Sequence, residues 1–298
     1  MACRQVMCNR IATVPIRASG LAVYAATSDV EERTIRERLV KMEAIGRHAS
    51  RKPSRYRWLA AFLVVMAIIA AFIALQLSAG EAATTVGLGT ASPYGVLAGS
   101  TVTNTGATVV NGDLGVSPGT AVTGFPPGIV TGTTLVGGAA AGAQSDLTTA
   151  YLDAAGQPST ASVGTIGSGQ TLTSGVYTAS SSLHVGGTLT LDGQGDPGAV
   201  FIFQAGSTLI TSTGTTVVLT NGAQACNVFW QVGSSATIQT GTTFQGSVLA
   251  LTSITVDTGD TIDGRALARN GAVTLDDDTI NTPTTCVSST PTPTPTPT

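Results

Sequence analysis

Beyond Ala82 the 298-residue chain contains no lysine and no glutamate, and its only arginines are Arg265 and Arg269. A soluble domain normally spreads charge of both signs over its surface. Eleven aspartates against two arginines leave this stretch acidic, which argues against a nucleic-acid partner. Histidine is almost missing as well. Any Ser-His-Asp arrangement would have to use His184, which is read instead as a surface residue. Asp257, Asp260 and Asp263, and the run Asp276–Asp278, follow no calcium-loop pattern and read as turns. Carbohydrate-cleaving β-helices need clustered carboxylates with basic partners, and two arginines support that poorly. No catalytic residue, metal or cofactor is therefore assigned. What is left for the surface is threonine hydroxyls, methyls and glycine backbone. Such a surface suits a flat, semi-apolar face that meets something equally uncharged and extended.

Charge divides the chain. Residues 1–57 hold twelve of the fourteen Lys and Arg and read as a basic cytoplasmic leader. Its length is unusual, and Met42 offers an alternative start. The apolar run Trp58–Leu77 is long enough to span a bilayer, and residues 58–83 read as a signal peptide or signal anchor. The positive charge before it places the N-terminus inside and the following domain outside, secreted or held at the cell surface. Membrane contact is expected only through residues 58–77, if that run stays uncleaved. Residues 84–287 form one domain large enough for a core of its own, and 288–298 form a Pro/Thr-rich tail of extended polyproline character. In an exported domain, the pair Cys226 and Cys286 invites a disulfide, with two buried free thiols as the alternative.

The domain reads as mainly β. Short β-branched segments such as Thr188–Leu191, Val200–Phe203, Val228–Trp230 and Ala272–Leu275 recur between Gly, Asn, Asp and Ser. Most turns do not look like hairpin turns, and good hairpin dipeptides such as Asn221-Gly222 and Asn270-Gly271 are in the minority. That pattern favours an irregular solenoid of stacked coils over a sandwich or barrel. One Ala-rich stretch, residues 138–155, reads as a helix lying along the stack, with Leu147, Tyr151 and Leu152 on one face and Gly156 and Pro158 ending it. Trp230 and Phe201 fall in apolar strands and read as core.

Several stretches carry a resemblance. Leu88–Gly106, Asn111–Gly119, the helical Ala143–Tyr151, Pro197–Gln204, Asn227-Val-Phe-Trp-Gln-Val-Gly-Ser-Ser-Ala236 and Gly264–Leu275 resemble the microbial ice-binding (antifreeze) protein family, whose fold is an irregular right-handed β-solenoid with one helix packed alongside. The resemblance spans essentially Val86 to Cys286. It implies an extracellular monomer that adsorbs to an ice surface and slows ice growth or recrystallisation. A cell-surface structural or adhesive module with the same fold and no ice activity is the alternative, because a fold does not fix a function.

The family is similar in carrying Thr-(Ala/Gly)-x-(Thr/Asn) on its ice face. Here the pattern starts at Thr105, Thr120, Thr131, Thr213, Thr240 and Thr258. The motif is short, so spacing ranks the matches. The three late ones are spaced as successive coils would be, which nominates Thr213, Thr215, Thr216, Thr240, Thr242, Thr243, Thr258 and Thr261 for ice contact. Thr105, Thr108, Thr131 and Thr134 rank lower because their matches crowd too closely for one per coil, and Thr120–Thr123, among prolines, reads as turn.

Overall fold

The computed structural model describes residues 83–283 and Cys286, and its strands run from two to eight residues. The leader, the apolar run and the Pro/Thr tail lie outside the described residues. No helix among the described residues is long and apolar enough to cross a membrane. The short strands have a local cause. β-Branched triplets such as Ala236–Ile238 and Ile254–Val256 favour extended backbone. A glycine in the left-handed region then turns the chain, as at Gly214 (φ +68°), Gly241 (φ +72°) and Gly259 (φ +78°).

Described strands pair in parallel, so each must be linked to its neighbour by a crossover. The crossover here is made of strands on two other faces. Face 1 stacks Ala161–Ser162, Gly175–Ala179, Phe201–Ala205 and Val228–Val232, then the second halves of Thr243–Ala250 and Thr261–Ala268, then Tyr94–Ala98, Asp113–Val116 and Thr134–Val136. Face 2 runs in parallel order through Thr165–Gly167, Leu183–Gly186, Leu209–Thr211, Ala236–Ile238, Ile254–Val256, Val273–Asp276, Thr101–Thr105 and Ala121–Thr123. Face 3 takes the first halves of the two long strands, flanked by Gln170–Thr173, Thr188–Asp192 and Thr216–Thr220 on one side and by Thr279–Asn281, Val109–Asn111 and Ile129–Val130 on the other.

Spatial order differs from chain order. The last turn, residues 261–281, pairs with the first, residues 94–111, on all three faces. A seam between an N-terminal and a C-terminal block therefore lies inside the stack. The helix, α1 (Ala141–Gly156), joins the two blocks along the chain.

The interior is filled by inward residues of all three faces. Tyr177, Phe203 and Trp230 stack in successive turns with centroids 5.4 and 4.0 Å apart, and Phe244 follows at 4.8 Å. Trp230 Nε1 donates to the Gln245 carbonyl at 2.9 Å, so the indole is satisfied inside the core. Trp230 and Phe201 are both fully buried.

Face 1 is apolar outside as well, because α1 covers it. Ala143, Leu147, Ala150, Tyr151 and Ala154 pack on Val176, Ile202, Phe229, Leu249, Leu267 and Leu97. Polar clamps fix its position. Asp146 accepts from the Thr90 hydroxyl and N–H, which holds its carboxyl below the usual aspartate range. Gln204 Nε2 donates to the carbonyls of Ala154 and Gln157, satisfying the helix end. The Arg269 guanidinium sits 4.8 Å above the Tyr151 ring. Leu152 does not share the buried face: it is 60% exposed, because five residues after Leu147 an α-helix has turned well past that stripe. The helix begins at Ala141 rather than Gly138, since residues 137–140 form a 3₁₀ turn.

Two further ties hold the chain. Arg265 is buried against face 1 and donates to the carbonyls of Ser92 and Pro283 and to the Ser247 hydroxyl. Burial without an anion brings its guanidinium down to about 10. Cys226 and Cys286 are joined as a disulfide, with Cα atoms 6.0 Å apart.

Candidate functional site

With face 1 covered, two flat faces remain open. Register along face 2 aligns one outward residue per turn: Thr165, His184, Ile210, Thr237, Thr255, Thr274, Thr103 and Thr123. The last five are threonines in five successive turns, uninterrupted across the seam. Thr274, Thr103 and Thr123 are exposed, while Thr237 and Thr255 are half-buried. Two residues earlier in each turn stand Ser235, Ser253, Ala272, Thr101 and Ala121. The Ser253 hydroxyl accepts the Ala272 N–H and the Ser235 hydroxyl accepts the Ser253 N–H, both at 3.3 Å. These two rows carry no charge. Turns lie about 4.8 Å apart and same-face residues on one strand nearly 7 Å apart, giving a rectangular grid of hydroxyls and methyls.

Face 3 carries a second threonine row. Thr188, Thr216, Thr243, Thr261 and Thr279 align, and the row continues as Val109 and Ile129. The row beside it is occupied differently. Asn111 donates to Asn281, Asn281 to Asp263 Oδ1, and Gln245 to Asp263 Oδ2, all within 2.9 Å. A carboxylate therefore stands in the middle of that face, with its polar neighbours committed to each other.

The Thr-Gly-x-Thr pattern marks neither face. It is the corner between them. Thr213, Thr240 and Thr258 lie at the end of face 2, the left-handed glycine turns the chain, and the last threonine opens face 3. The third position points inward. Thr215 and Thr242 are buried, so neither can touch ice. The Thr215 hydroxyl donates to the carbonyls of Ser212 (2.6 Å) and Val185 (3.2 Å), and that of Thr242 to the Gln239 carbonyl. Thr108 is buried at the equivalent place, its hydroxyl accepting the Asp278 N–H. Of the nominated residues, Thr216, Thr243 and Thr261 come together on face 3, and Thr213, Thr240 and Thr258 line the corner. Thr105 sits at the face 2 border opposite Asp276, and Thr131 and Thr134 flank the corner of the terminal turn between faces 3 and 1. Thr123 is no turn residue: Ala121–Thr123 is a strand, and Thr123 ends the face 2 row.

Four of the five face 2 threonines, Thr237, Thr255, Thr274 and Thr103, fall outside the Thr-(Ala/Gly)-x-(Thr/Asn) pattern. The row's own signal is a threonine between two inward apolar residues: Ala236-Thr-Ile238, Ile254-Thr-Val256 and Val273-Thr-Leu275. The aspartates are not all turn residues, since Asp263 lies within strand Thr261–Ala268 and Asp276 ends strand Val273–Asp276. Asp257 and Asp276 border face 2, Asp263 lies on face 3, Asp260 and Asp278 point inward, and Asp277 Oδ1 accepts the Ala107 N–H. Among the described residues no group of His, Cys, Asp or Glu could hold a metal ion.

A family model described as ice-binding-like matches residues 96–281. The chain is 50% identical over 223 residues to an ice-binding protein of Nostoc sp. (strain HG1), covering 74% of this chain and 82% of that one. It is 35% identical to ice-binding protein K3-B1 of Typhula ishikariensis, covering 64% and 86%. Its structure is similar to that of an ice binding protein from an Antarctic biological consortium, with TM-score 0.65, 51% identity, and 67% and 91% of the two chains covered. An ice-binding protein from the ascomycete Antarctomyces psychrotrophicus is also similar, with TM-score 0.66, 43% identity, and 68% and 100% covered. Parallel sheets wrapped on one side by a single helix, and a sequence match across nearly all of them, place this chain in the ice-binding-like family.

Proposed function

We propose that residues 84–287 form an irregular right-handed β-solenoid that adsorbs to ice through face 2 and restrains ice growth or recrystallisation outside the cell. The observation that carries the reading is the uncharged grid centred on Thr237, Thr255, Thr274, Thr103 and Thr123. A β-branched side chain has a restricted χ1, so the hydroxyls and methyls of such a row hold fixed places. Water above it is held in a regular array by the hydroxyls and loses little by leaving the methyls. Such an array merges with a crystal lattice and pins the advancing front over the area covered. A lysine or glutamate there would bind water too strongly and in the wrong geometry, which accounts for the composition after Ala82. The domain acts as a monomer and without catalysis. It is delivered through residues 58–77, which either are removed or hold it at the cell surface.

One observation favours a second contact: the five-threonine row of face 3. Face 3 is the weaker candidate because the row beside its threonines is taken up by Asp263 and the amides bonded to it, whereas face 2, though bordered by Asp257 and Asp276, has a second uncharged row at Ser235, Ser253, Ala272, Thr101 and Ala121. Thermal hysteresis and ice recrystallisation assays on the purified protein test the reading. Activity at micromolar protein is the expected result. Its absence at high concentration would favour a structural or adhesive role on the same fold.

A further inference from the structure

The corner between faces 2 and 3 contains a column of inward side chains that takes no part in either outer surface. Register places Thr215, Thr242, Asp260, Asp278 and Thr108 one above another in five successive turns, and all five are buried. At three levels the side chain is a hydroxyl, which satisfies a backbone group without bringing charge inside. At the remaining two it is a carboxyl. Asp278 stands at the seam, where the last turn meets the N-terminal block. Its N–H donates to Thr108 Oγ1 at 3.0 Å, its Oδ1 accepts the Asp260 N–H at 3.0 Å, and its Oδ2 accepts the Asp276 N–H at 2.8 Å. Asp260 Oδ1 accepts the Thr242 N–H at 2.7 Å, while its Oδ2 is buried and accepts no hydrogen bond.

No cation answers these two carboxyls among the described residues. The titratable groups that face them are Asp257 and Asp276, with Asp277 at the turn beside Asp278, and all are acidic. The threonines and backbone amides packed around the column are neutral. Arg265 and Arg269 are engaged with face 1 and α1, and His184 lies three turns away on face 2. Two carboxylates in adjacent turns of a buried column would each lose hydration and repel the other.

We propose that Asp260 and Asp278 are positioning residues, buried in their protonated form, for the last turns of the C-terminal block, so that raising the pH through neutrality weakens the packing of those turns beside the seam. Burial, and secondarily the neighbouring aspartates, raise both carboxyls from the ordinary aspartate range to about 7. In the unfolded chain both ionise near pH 4, so between about 4 and 7 the folded protein binds more protons than the unfolded one. Their contribution to stability is therefore fully present in acid, falls as pH rises across that window, and levels off above it. The threonine row of face 2 crosses the same seam from Thr274 to Thr103, so the seam also sets the regularity of that row. The inference stands on the fold alone, whatever face 2 contacts.

Asp260→Asn is the informative variant, because it keeps the side-chain oxygen that accepts the Thr242 N–H and cannot ionise. Thermal unfolding of the wild-type protein and D260N is followed from pH 5 to pH 8 at constant ionic strength. The wild-type Tm falls by about 5 °C or more over that range. D260N removes a large part of the fall and unfolds at higher temperature than wild type at pH 8. A flat wild-type profile, or a D260N that is equally destabilised at both pH values, overturns the proposal. Carbon-13 NMR of the wild-type carboxyls gives an independent readout: midpoints near neutrality for Asp260 and Asp278 support it, and titration of both near pH 4 defeats it.

Discussion

Phe203→Ala removes the middle ring of the aromatic column and probes what keeps the turns in register. Phe203 is fully buried between Tyr177 at 5.4 Å and Trp230 at 4.0 Å, the latter stacked nearly parallel at 13°. Truncating a buried phenylalanine to alanine costs about 3–5 kcal/mol, transfer and cavity together. Loss of two ring–ring contacts, each worth about 0.5–1.5 kcal/mol, pushes this site to the upper part of that range. Collapse offers little relief, since the neighbours above and below are fixed by the parallel ladders Phe203 shares with Tyr177 and Trp230. For a domain of this size each kcal/mol moves Tm by about 2–4 °C, so F203A should unfold about 8–15 °C below wild type. Phe203→Leu keeps much of the volume and loses only the rings, so it should fall by less than half as much. Calorimetry or circular dichroism measures both. A drop under about 3 °C for F203A, or equal drops for the two variants, would refute the idea that this column is the tightly packed centre of the fold.

The remaining predictions concern the elements around the open faces. Leu147→Ala, beneath α1, should cost about 2–5 kcal/mol, whereas Leu152→Ala should leave Tm within about 1 °C of wild type, as urea and thermal unfolding can report. Opening the Cys226–Cys286 disulfide frees a loop with a sequence separation of 60 residues, and the chain-entropy estimate puts the loss near 4 kcal/mol, measurable as a lowered midpoint in denaturant with reductant. Thr242→Val removes a buried hydroxyl that donates to the Gln239 carbonyl, and should lower stability by about 1–3 kcal/mol in the same assay. A bulky residue at Thr242 would disrupt folding before it could report on any surface contact.

Much of the β architecture was legible because its signals are local. Glycine and aspartate punctuation, β-branched triplets and turns mostly without hairpin dipeptides all act within a few residues, and Gly156 ends α1 where the sequence suggests. The pairing of residues 261–281 with 94–111 was not legible, because nothing near either segment encodes a partner so distant in the chain. The inward turn of the third residue in each pattern was not legible for a related reason. A threonine three residues after another looks like a repeated surface pair, but Gly214, Gly241 and Gly259 bend the chain between them and send Thr215 and Thr242 inward. Thr216, Thr243 and Thr261 were correctly seen as aligned, yet on the face that also bears Asp263. Of the aspartates read as turn formers, Asp257, Asp260, Asp277 and Asp278 lie between strands, whereas Asp263 and Asp276 belong to strands, and Asp260 and Asp278 are buried, which only the stacking of turns reveals.

The central claim, that face 2 meets ice, is tested most directly by thermal hysteresis of paired tyrosine variants. Thr255→Tyr and Thr243→Tyr each set one ring above an outward threonine row, on face 2 and face 3 respectively. Circular dichroism at the assay temperature checks that both remain folded. The account predicts that Thr255→Tyr loses most of its hysteresis while Thr243→Tyr keeps most of it. Full activity in Thr255→Tyr, with or without loss in Thr243→Tyr, would contradict it.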